Sequence, residues 1–312
     1  MASVRRILGA LVAIIAIPVA GLSVAAFFGS VDWRLDLVAN ARVQLWWVGG
    51  ALLLAALVAR SRTAVVASAI VVVVNLAVVV PLYLAPGGEA TGESIRILSF
   101  NLLSTNDRYA DVVAYIRETE PDVVFLHEGT ARGEVALAGF HLPGYEVVSG
   151  RTPELIFGTI ALVPEGADVT NLGFGSRQGR ALEVRIGDIS ILGVHPLPPV
   201  TEAESELRDA QHATYARWAE DRSLAIVVGD FNATPWTAPF RGLLGVGLRN
   251  SQQGYGVTPT WEVGRVWAVP IDHLLHSPDM VTVNRVVGPD LGSDHRPLLV
   301  EVAPVSAASA SR

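Results

Sequence analysis

Two short segments carry residues able to do chemistry. Gly229-Asp230-Phe231-Asn232-Ala233-Thr234-Pro235 and, roughly sixty residues later, Ser293-Asp294-His295-Arg296-Pro297 set carboxylates, an amide and an imidazole beside apolar β-like runs. Asn101, Glu128, His195 and Asp272 stand at the ends of similar runs elsewhere in the chain. Polar groups gathered from distant strand ends make a hydrolytic rim. Cleavage of a phosphate ester needs a hard cation held by carboxylates, a base to activate water, donors for the phosphoryl oxygens and in-line geometry. The chain has no cysteine, which removes thiolate nucleophiles, disulfides and Cys-based zinc sites, so a metal must be held by oxygen or imidazole.

The elements that must position these residues are readable from periodicity. Ile95 to Leu102 alternates like a strand, Asp111 to Glu118 has helical spacing, and Asp122 to Leu126 is an apolar strand that ends in His127-Glu128. Leu155 to Val163, Leu182 to Ile186 and Ile189 to Val194 read as strands, the last two joined by a Gly187-Asp188 turn. Thr201 to Arg222 is the clearest helix. Leu224 to Val228, Ile271 to Leu275, Val281 to Val287 and Leu298 to Val302 complete a set of short strands. Strands outnumber helices and are mixed with them, which favours an α/β architecture of two packed sheets flanked by helices over a doubly wound parallel sheet.

The first 86 residues form a different region. Ile7 to Phe28 and Ala64 to Ala85 are apolar runs of the ~20 residues that span a bilayer, and Val43 to Ala59, with Trp46 and Trp47 near one end, stands at the lower limit. A cleaved signal peptide is the alternative reading of the first run, since Arg5 and Arg6 precede it and small residues follow. Arg5, Arg6, Arg60 and Arg62 place the N-terminus and the second turn in the cytoplasm, so three spans deliver the chain after Pro86 to the outside. Cleavage of the first run leaves that result unchanged. The division expected is a membrane anchor over 1–86, a flexible linker over 87–94, a catalytic domain over 95–303 and a tail over 304–312.

Only Asp32 and Asp36 of the 30 acidic residues, but 6 of the 23 arginines, precede Pro86; the outer region keeps 28 acidic and 17 basic residues, a net charge of −11. Gripping long DNA demands the opposite sign.

The segments Ser99-Phe100-Asn101, Pro121 to Glu128, Gly193-Val194-His195, Gly229 to Asn232, Ile271-Asp272-His273 and Ser293 to Pro297 occur in an order and spacing that resembles the endonuclease/exonuclease/phosphatase superfamily, over essentially all of residues 95 to 303. The resemblance implies a four-layered α/β sandwich with a Mg²⁺-dependent phosphoesterase site, Mn²⁺ being a possible substitute. By the same resemblance Glu128, with Asn101, would hold the metal and Asp294 would be a second carboxylate near it. Asp230 would deprotonate the attacking water, Asn232 and His195 would donate to phosphoryl oxygens, and His295, paired with Asp272, would contact the scissile phosphate. His127 stands where most relatives have Gln, Pro196 to Pro199 stiffen the loop after His195, and the family's mid-chain Tyr has no clear counterpart; Arg180 is the candidate phosphate contact in its place. The Pro-rich loop and three spans look like the membrane-bound bacterial members, including those associated with glycopeptide resistance.

The expected function is a membrane-tethered extracytoplasmic phosphoesterase acting on a lipid-linked or membrane-proximal phosphate. An extracellular nuclease and a non-catalytic membrane scaffold are the alternatives. Remaining polar residues have plainer expectations: His127, His273 and His276 as buried strand residues, His141 and His212 on the surface, Asn75 packed against another span, and Glu202 to Arg222 as a solvated helix face.

Overall fold

The computed structural model describes residues 2–151, 156–173 and 180–305, and the chain divides into two compact units. The first comprises Met1–Ala85 with two short segments from later in the chain, Thr234–Ala238 and Gln253–Val257; the second is the remainder.

In the first unit, helices α1 (Ala2–Ala25), α2 (Trp33–Ala39), α3 (Arg42–Ala59) and α4 (Arg62–Val79) account for most residues. Three helical stretches, Ser3–Phe28, Arg42–Ala59 and Arg62–Tyr83, are long and apolar enough to cross a membrane. Helix α2 was not expected from the apolar pattern. Asp32 caps it by accepting from Arg34 N at 2.8 Å. Asn75 is buried and donates to Ser23 Oγ at 2.9 Å and to Val71 O at 2.8 Å, so it packs against another of the apolar helices, as expected. Trp236 packs on Ala26, Ala39, Val79 and Leu82 and donates its indole N–H to Val78 O at 2.9 Å.

The second unit contains helices α5 (Tyr109–Thr119), α6 (Ala131–Gly139), α7 (Glu202–Glu220) and α8 (Ala238–Gly245). Among the described residues, twelve strands are found: β1 (Ile95–Asn101), β2 (Val123–Thr130), β3 (Tyr145–Ser149), β4 (Phe157–Pro164), β5 (Asp168–Gly173), β6 (Arg180–Ile186), β7 (Ile189–Val194), β8 (Leu224–Asp230), β9 (Arg249–Asn250), β10 (Asp272–His276), β11 (Met280–Val287) and β12 (Leu298–Pro304). They form two six-stranded mixed sheets, ordered β11-β12-β1-β2-β4-β3 and β5-β6-β7-β8-β10-β9. Each sheet has one parallel pair at its centre, β1 with β2 and β7 with β8.

Alternation explains the four layers. In β1 and β2, Ile97, Val123 and Phe125 face the second sheet and meet Val184, Ile191, Ile226 and Val228 there. Leu98, Phe100, Val124 and Leu126 face the other way and are covered by Val112, Val113 and Ile116 of α5 and Leu137 of α6. On the far side, Leu192, Val194, Ala225 and Val227 are covered by Tyr215 and Trp218 of α7 and Phe240 and Leu243 of α8. The sheets approach closely at Gly193, where a Cβ would lie 2.1 Å from Phe125 Cδ1.

Several expectations need correction. Strands β3, β5 and β9 and helices α6 and α8 were missed; β3 and β5 are edge strands whose mixed polar and apolar residues give little alternation, and β9, also at an edge, has only two residues. Residues 152–155 at the start of the strand expected from Leu155 lie outside the described residues, and β4 begins at Phe157. Helix α7 is not solvated on all its charged positions. Arg208 is fully buried and His212 is buried with it, because Ser205, Arg208, His212, Tyr215 and Ala219 recur at helical spacing on the face turned to the sheet. The linker is partly ordered, with Thr91 N donating to Pro304 O at 3.0 Å.

Candidate active site

The parallel pairs aim their C-terminal ends at one place. Asn101 ends β1, Glu128 lies near the end of β2, His195 follows β7 and Asp230 ends β8; Asp272 opens β10 directly opposite Asp230 in antiparallel register. The close register of β7 and β8 needs Gly229, whose φ is +152° and whose Cβ would sit 1.9 Å from Val194 O.

Asn101 is the hub. Its Nδ2 donates to Glu128 Oε1 at 3.2 Å and to Asp230 Oδ2 at 3.0 Å, and its Oδ1 accepts from Leu103 N at 3.0 Å. Glu128 leaves the ladder at a bulge between Leu126 and Gly129, with φ of 55°, so its carboxylate leaves the buried row and stays partly exposed. Its Oε2 accepts from Ser104 N at 3.1 Å.

Two imidazoles face Asp230. His195 Nε2 lies 3.6 Å from Asp230 Oδ2 and 4.0 Å from Glu128 Oε1. His295 Nε2 lies 3.6 Å from the same Asp230 oxygen, while its Nδ1 is 2.8 Å from Asp272 Oδ2. The other oxygen of Asp272 is buried with no hydrogen-bond partner among the described residues.

Burial works against charge on His295, but Asp272 and Asp230 overcome it and raise its pKa to about 10. It is an imidazolium at neutral pH. Burial likewise raises Asp230, opposed by His295 and His195 and reinforced by Asp272. His127, which forms the floor beside Ser99 Oγ at 3.3 Å and Thr159 Oγ1 at 3.1 Å, goes the other way; burial, then His195 and His295, hold its pKa well below the usual histidine range.

Asn232 follows Asp230 with φ of 47°, a conformation Asn tolerates, and its N–H donates to Asp230 Oδ1 at 2.9 Å. Its side chain donates to Pro196 O at 3.0 Å, which ties it to the Pro-rich loop after His195. Asp294 is adjacent to His295, and its Oδ2 accepts from Trp261 Nε1 at 2.9 Å. Ser293 Oγ donates to Asn101 O at 2.8 Å and thereby fixes this segment to the end of β1.

Thus Asn101, Glu128, His195, Asp230, Asp272 and His295 converge, Asn232 is joined to them through Asp230, and Asp294 flanks them. Arg180 belongs to β6, but its side chain lies outside the described residues. Trp261, Thr260 and Arg208 were missed as supports. Thr260 Oγ1 accepts from Asp272 N at 3.1 Å, and Arg208 reaches Asn232 O at 3.4 Å. The only sequence signal for the first two was an aromatic and a hydroxyl shortly before Ile271-Asp272.

Distance alone groups Asp230, Asp272 and His295 as possible metal ligands, within 4.8 Å of one another. Within that set His295 and Asp272 are already paired at 2.8 Å, and the proton they hold would have to leave before a cation could bind there. Glu128 is the better candidate. It is a partly exposed carboxylate next to an amide and a second carboxylate, an oxygen-rich donor set suited to a hard divalent cation.

Comparisons with known proteins agree with this architecture. The model of the Endonuclease/Exonuclease/phosphatase family matches residues 98–295. No curated protein matches the chain by sequence. Among solved structures, D. rerio TDP2 complexed with single-strand DNA product is 16% identical with a TM-score of 0.56, over 67% of this chain and 99% of that one. The 3′ phosphatase NExo from Neisseria, bound to product DNA hairpin, is 20% identical with a TM-score of 0.54, over 66% and 98%. An endonuclease/exonuclease/phosphatase family protein from Bacteroides thetaiotaomicron is 16% identical with a TM-score of 0.56, over 69% and 96%. At these identities the structural likeness establishes the fold, while the family match covers most of the chain: the protein belongs to the endonuclease/exonuclease/phosphatase family, whose members are metal-dependent phosphoesterases and nucleases.

Proposed function

We propose that the protein is a membrane-tethered phosphoesterase that works outside the cytoplasm on a phosphate ester or diphosphate of a lipid-linked or membrane-proximal substrate. The observation that carries this reading is the coexistence, in one chain, of the Asn101, Glu128, His195, Asp230, Asp272, His295 cluster and three helices able to cross a membrane.

Each residue has a task consistent with its surroundings. Asp230, raised by burial, is a stronger base than a solvated aspartate and would take the proton of the attacking water. His295, held charged by Asp272, would donate its Nε2–H to a phosphoryl oxygen, and His195 and Asn232 would add donors as negative charge grows there. Asp272 would fix the His295 tautomer and ring orientation. Arg180 would be a further phosphate contact. Glu128, with Asn101 and Asp294, would hold Mg²⁺, or Mn²⁺ in its place. Bound there, the cation would neutralise phosphoryl charge and lower the pKa of water. For Asn101 this requires the amide to present oxygen instead of nitrogen to the carboxylates, a turn that a cation between them would favour.

A nuclease is the second reading, favoured by solved neighbours described with DNA products. The −11 charge of the region after Pro86 weighs against it. The test is hydrolysis by detergent-solubilised full chain with Mg²⁺ across polyprenyl diphosphates, phospholipids, inositol phosphates and DNA. Activity on a lipid-linked phosphate that disappears in Asp230→Asn is expected. Ready cleavage of DNA with the lipids untouched would overturn the substrate assignment.

A further inference from the structure

One rim of the site ends in a loop that does not resemble the surface around it. Trp261 and Val269 close the loop with paired backbone hydrogen bonds, Trp261 N to Val269 O at 3.1 Å and Val269 N to Trp261 O at 3.3 Å. Between them lie Glu262, Val263, Gly264, Arg265, Val266, Trp267 and Ala268. Arg265 N donates to Glu262 O at 3.0 Å and Ala268 N to Arg265 O at 3.1 Å, so the backbone is turned back on itself twice. Glu262 at φ 51° and Gly264 at φ 95° supply the left-handed positions that such turns need.

This defined backbone holds apolar side chains outward. Val266 is 83% exposed, Trp267 52% and Val263 39%. Single exposed apolar residues are ordinary on protein surfaces, but three within five residues of an internally bonded loop form a patch. Arg265 extends beside them, its guanidinium 5.8 Å from the Trp267 ring and 3.6 Å from the Glu262 carboxylate. Tryptophan, aliphatic side chains and one arginine form the composition of a bilayer interface, where indole sits at headgroup depth, valine enters the acyl boundary and the cation meets lipid phosphate.

The loop is anchored to the catalytic site. Trp261 is bridged to His295, its indole N–H donates to Asp294 Oδ2 at 2.9 Å, and Glu262 N donates to Asp294 O at 2.8 Å. The same chain carries three helical stretches long and apolar enough to cross a membrane, which makes a bilayer the apolar surface at hand.

We infer that the Glu262–Ala268 loop enters the membrane interface through Val263, Val266 and Trp267 and presents lipid-borne phosphate to the Ser293-Asp294-His295 segment from which it is hung. The partner is the surface of the bilayer that holds the chain, with a preference for anionic headgroups set by Arg265. The inference rests on the proposed membrane-proximal substrate, but its test does not depend on turnover.

The native chain has no cysteine, so one introduced thiol is the only thiol present. Full-chain Val266→Cys, labelled with an environment-sensitive fluorophore, is reconstituted into vesicles of phosphatidylcholine and phosphatidylglycerol with and without lipids brominated on their acyl chains. Val263→Cys is the second position, and Asp188→Cys, in the exposed turn after β6, is the control. The expected result is blue-shifted emission and several-fold stronger quenching at 266 and 263 than at 188. Equal quenching at all three, with water-like emission, would overturn the inference. Hydrolysis assayed on the same vesicles separates the two ideas: loop insertion without lipid-phosphate hydrolysis refutes the function alone, and hydrolysis without insertion refutes the loop alone.

Discussion

Replacement of Asp272 by Asn tests the electrostatic core of the site, since it keeps side-chain size while it removes one charge. His295 is 2.8 Å from Asp272 and 3.6 Å from Asp230, and it stays protonated up to about 10 although burial acts to discharge it. A unit charge at ~4 Å, in the effective dielectric of a partly buried site, is worth ~4 kcal/mol, which equals about 3 pH units of proton affinity. Loss of the Asp272 carboxylate should therefore bring the titration of His295 down to roughly neutral pH. If the charged imidazole is the phosphate donor, Asp272→Asn should approach wild-type kcat/KM near pH 6 and fall behind by about tenfold per pH unit above ~7. Wild type should hold its activity up to the alkaline limb. The same pair sets a stability window. Because the folded-state pKa is raised above its ordinary value of 6.5, the stabilisation is fully present below that pH and is lost as pH rises through about 10. The assays are pH–rate profiles on a soluble aryl phosphodiester and histidine NMR titration of both proteins. A variant profile lowered equally at every pH, or a variant His295 still protonated at pH 9, would show that Asp272 only positions the ring.

Two further outcomes follow from the geometry. Glu128→Gln removes the partly exposed carboxylate beside Asn101, so activity should require a several-fold higher Mg²⁺ concentration for half-saturation; an unchanged metal titration would move the metal elsewhere. Gly193→Ala puts a methyl group 2.1 Å from Phe125 Cδ1 and should lower stability by ~1–3 kcal/mol in denaturant titration, whereas the double variant with Phe125→Leu should recover part of the loss through their shared space.

The architecture was legible because most of it rests on alternation. Ile97, Leu98 and Phe100 and residues 123 to 126 put apolar side chains on both faces, which identifies strands buried between layers, and turn residues such as Gly187-Asp188 mark strand ends. Edge strands β3 and β5 escaped because water on one side relaxes the pattern. The positions of Asn101, Glu128, Asp230 and Asp272 at strand ends were readable for the same reason. Their supports were not. Arg208 and His212 carry polar names in a charged helix, and only the position of α7 against the second sheet makes that face interior. Trp261 reaches Asp294 across 33 residues, a contact that no local pattern encodes.

The charges of the site give a physical reason for metal dependence that is separate from family membership. Asp230 and Asp272 flank one imidazolium, His295, and His195 Nε2 lies between Asp230 and Glu128 carboxylate oxygens at 3.6 and 4.0 Å. A phosphate that approaches this group meets donors from the imidazoles and Asn232, but it also meets more negative than positive charge in a setting where water screens poorly. At ~4 Å each like-charge pair opposes binding by ~4 kcal/mol, more than one donor hydrogen bond returns. Discharge of Asp230 would relieve the repulsion, and burial already favours it, yet that would consume the base needed for water. A divalent cation held by Glu128 would offset the carboxylates and the phosphate together, and Asp230 would keep its proposed capacity to accept a proton with His295 still charged opposite it.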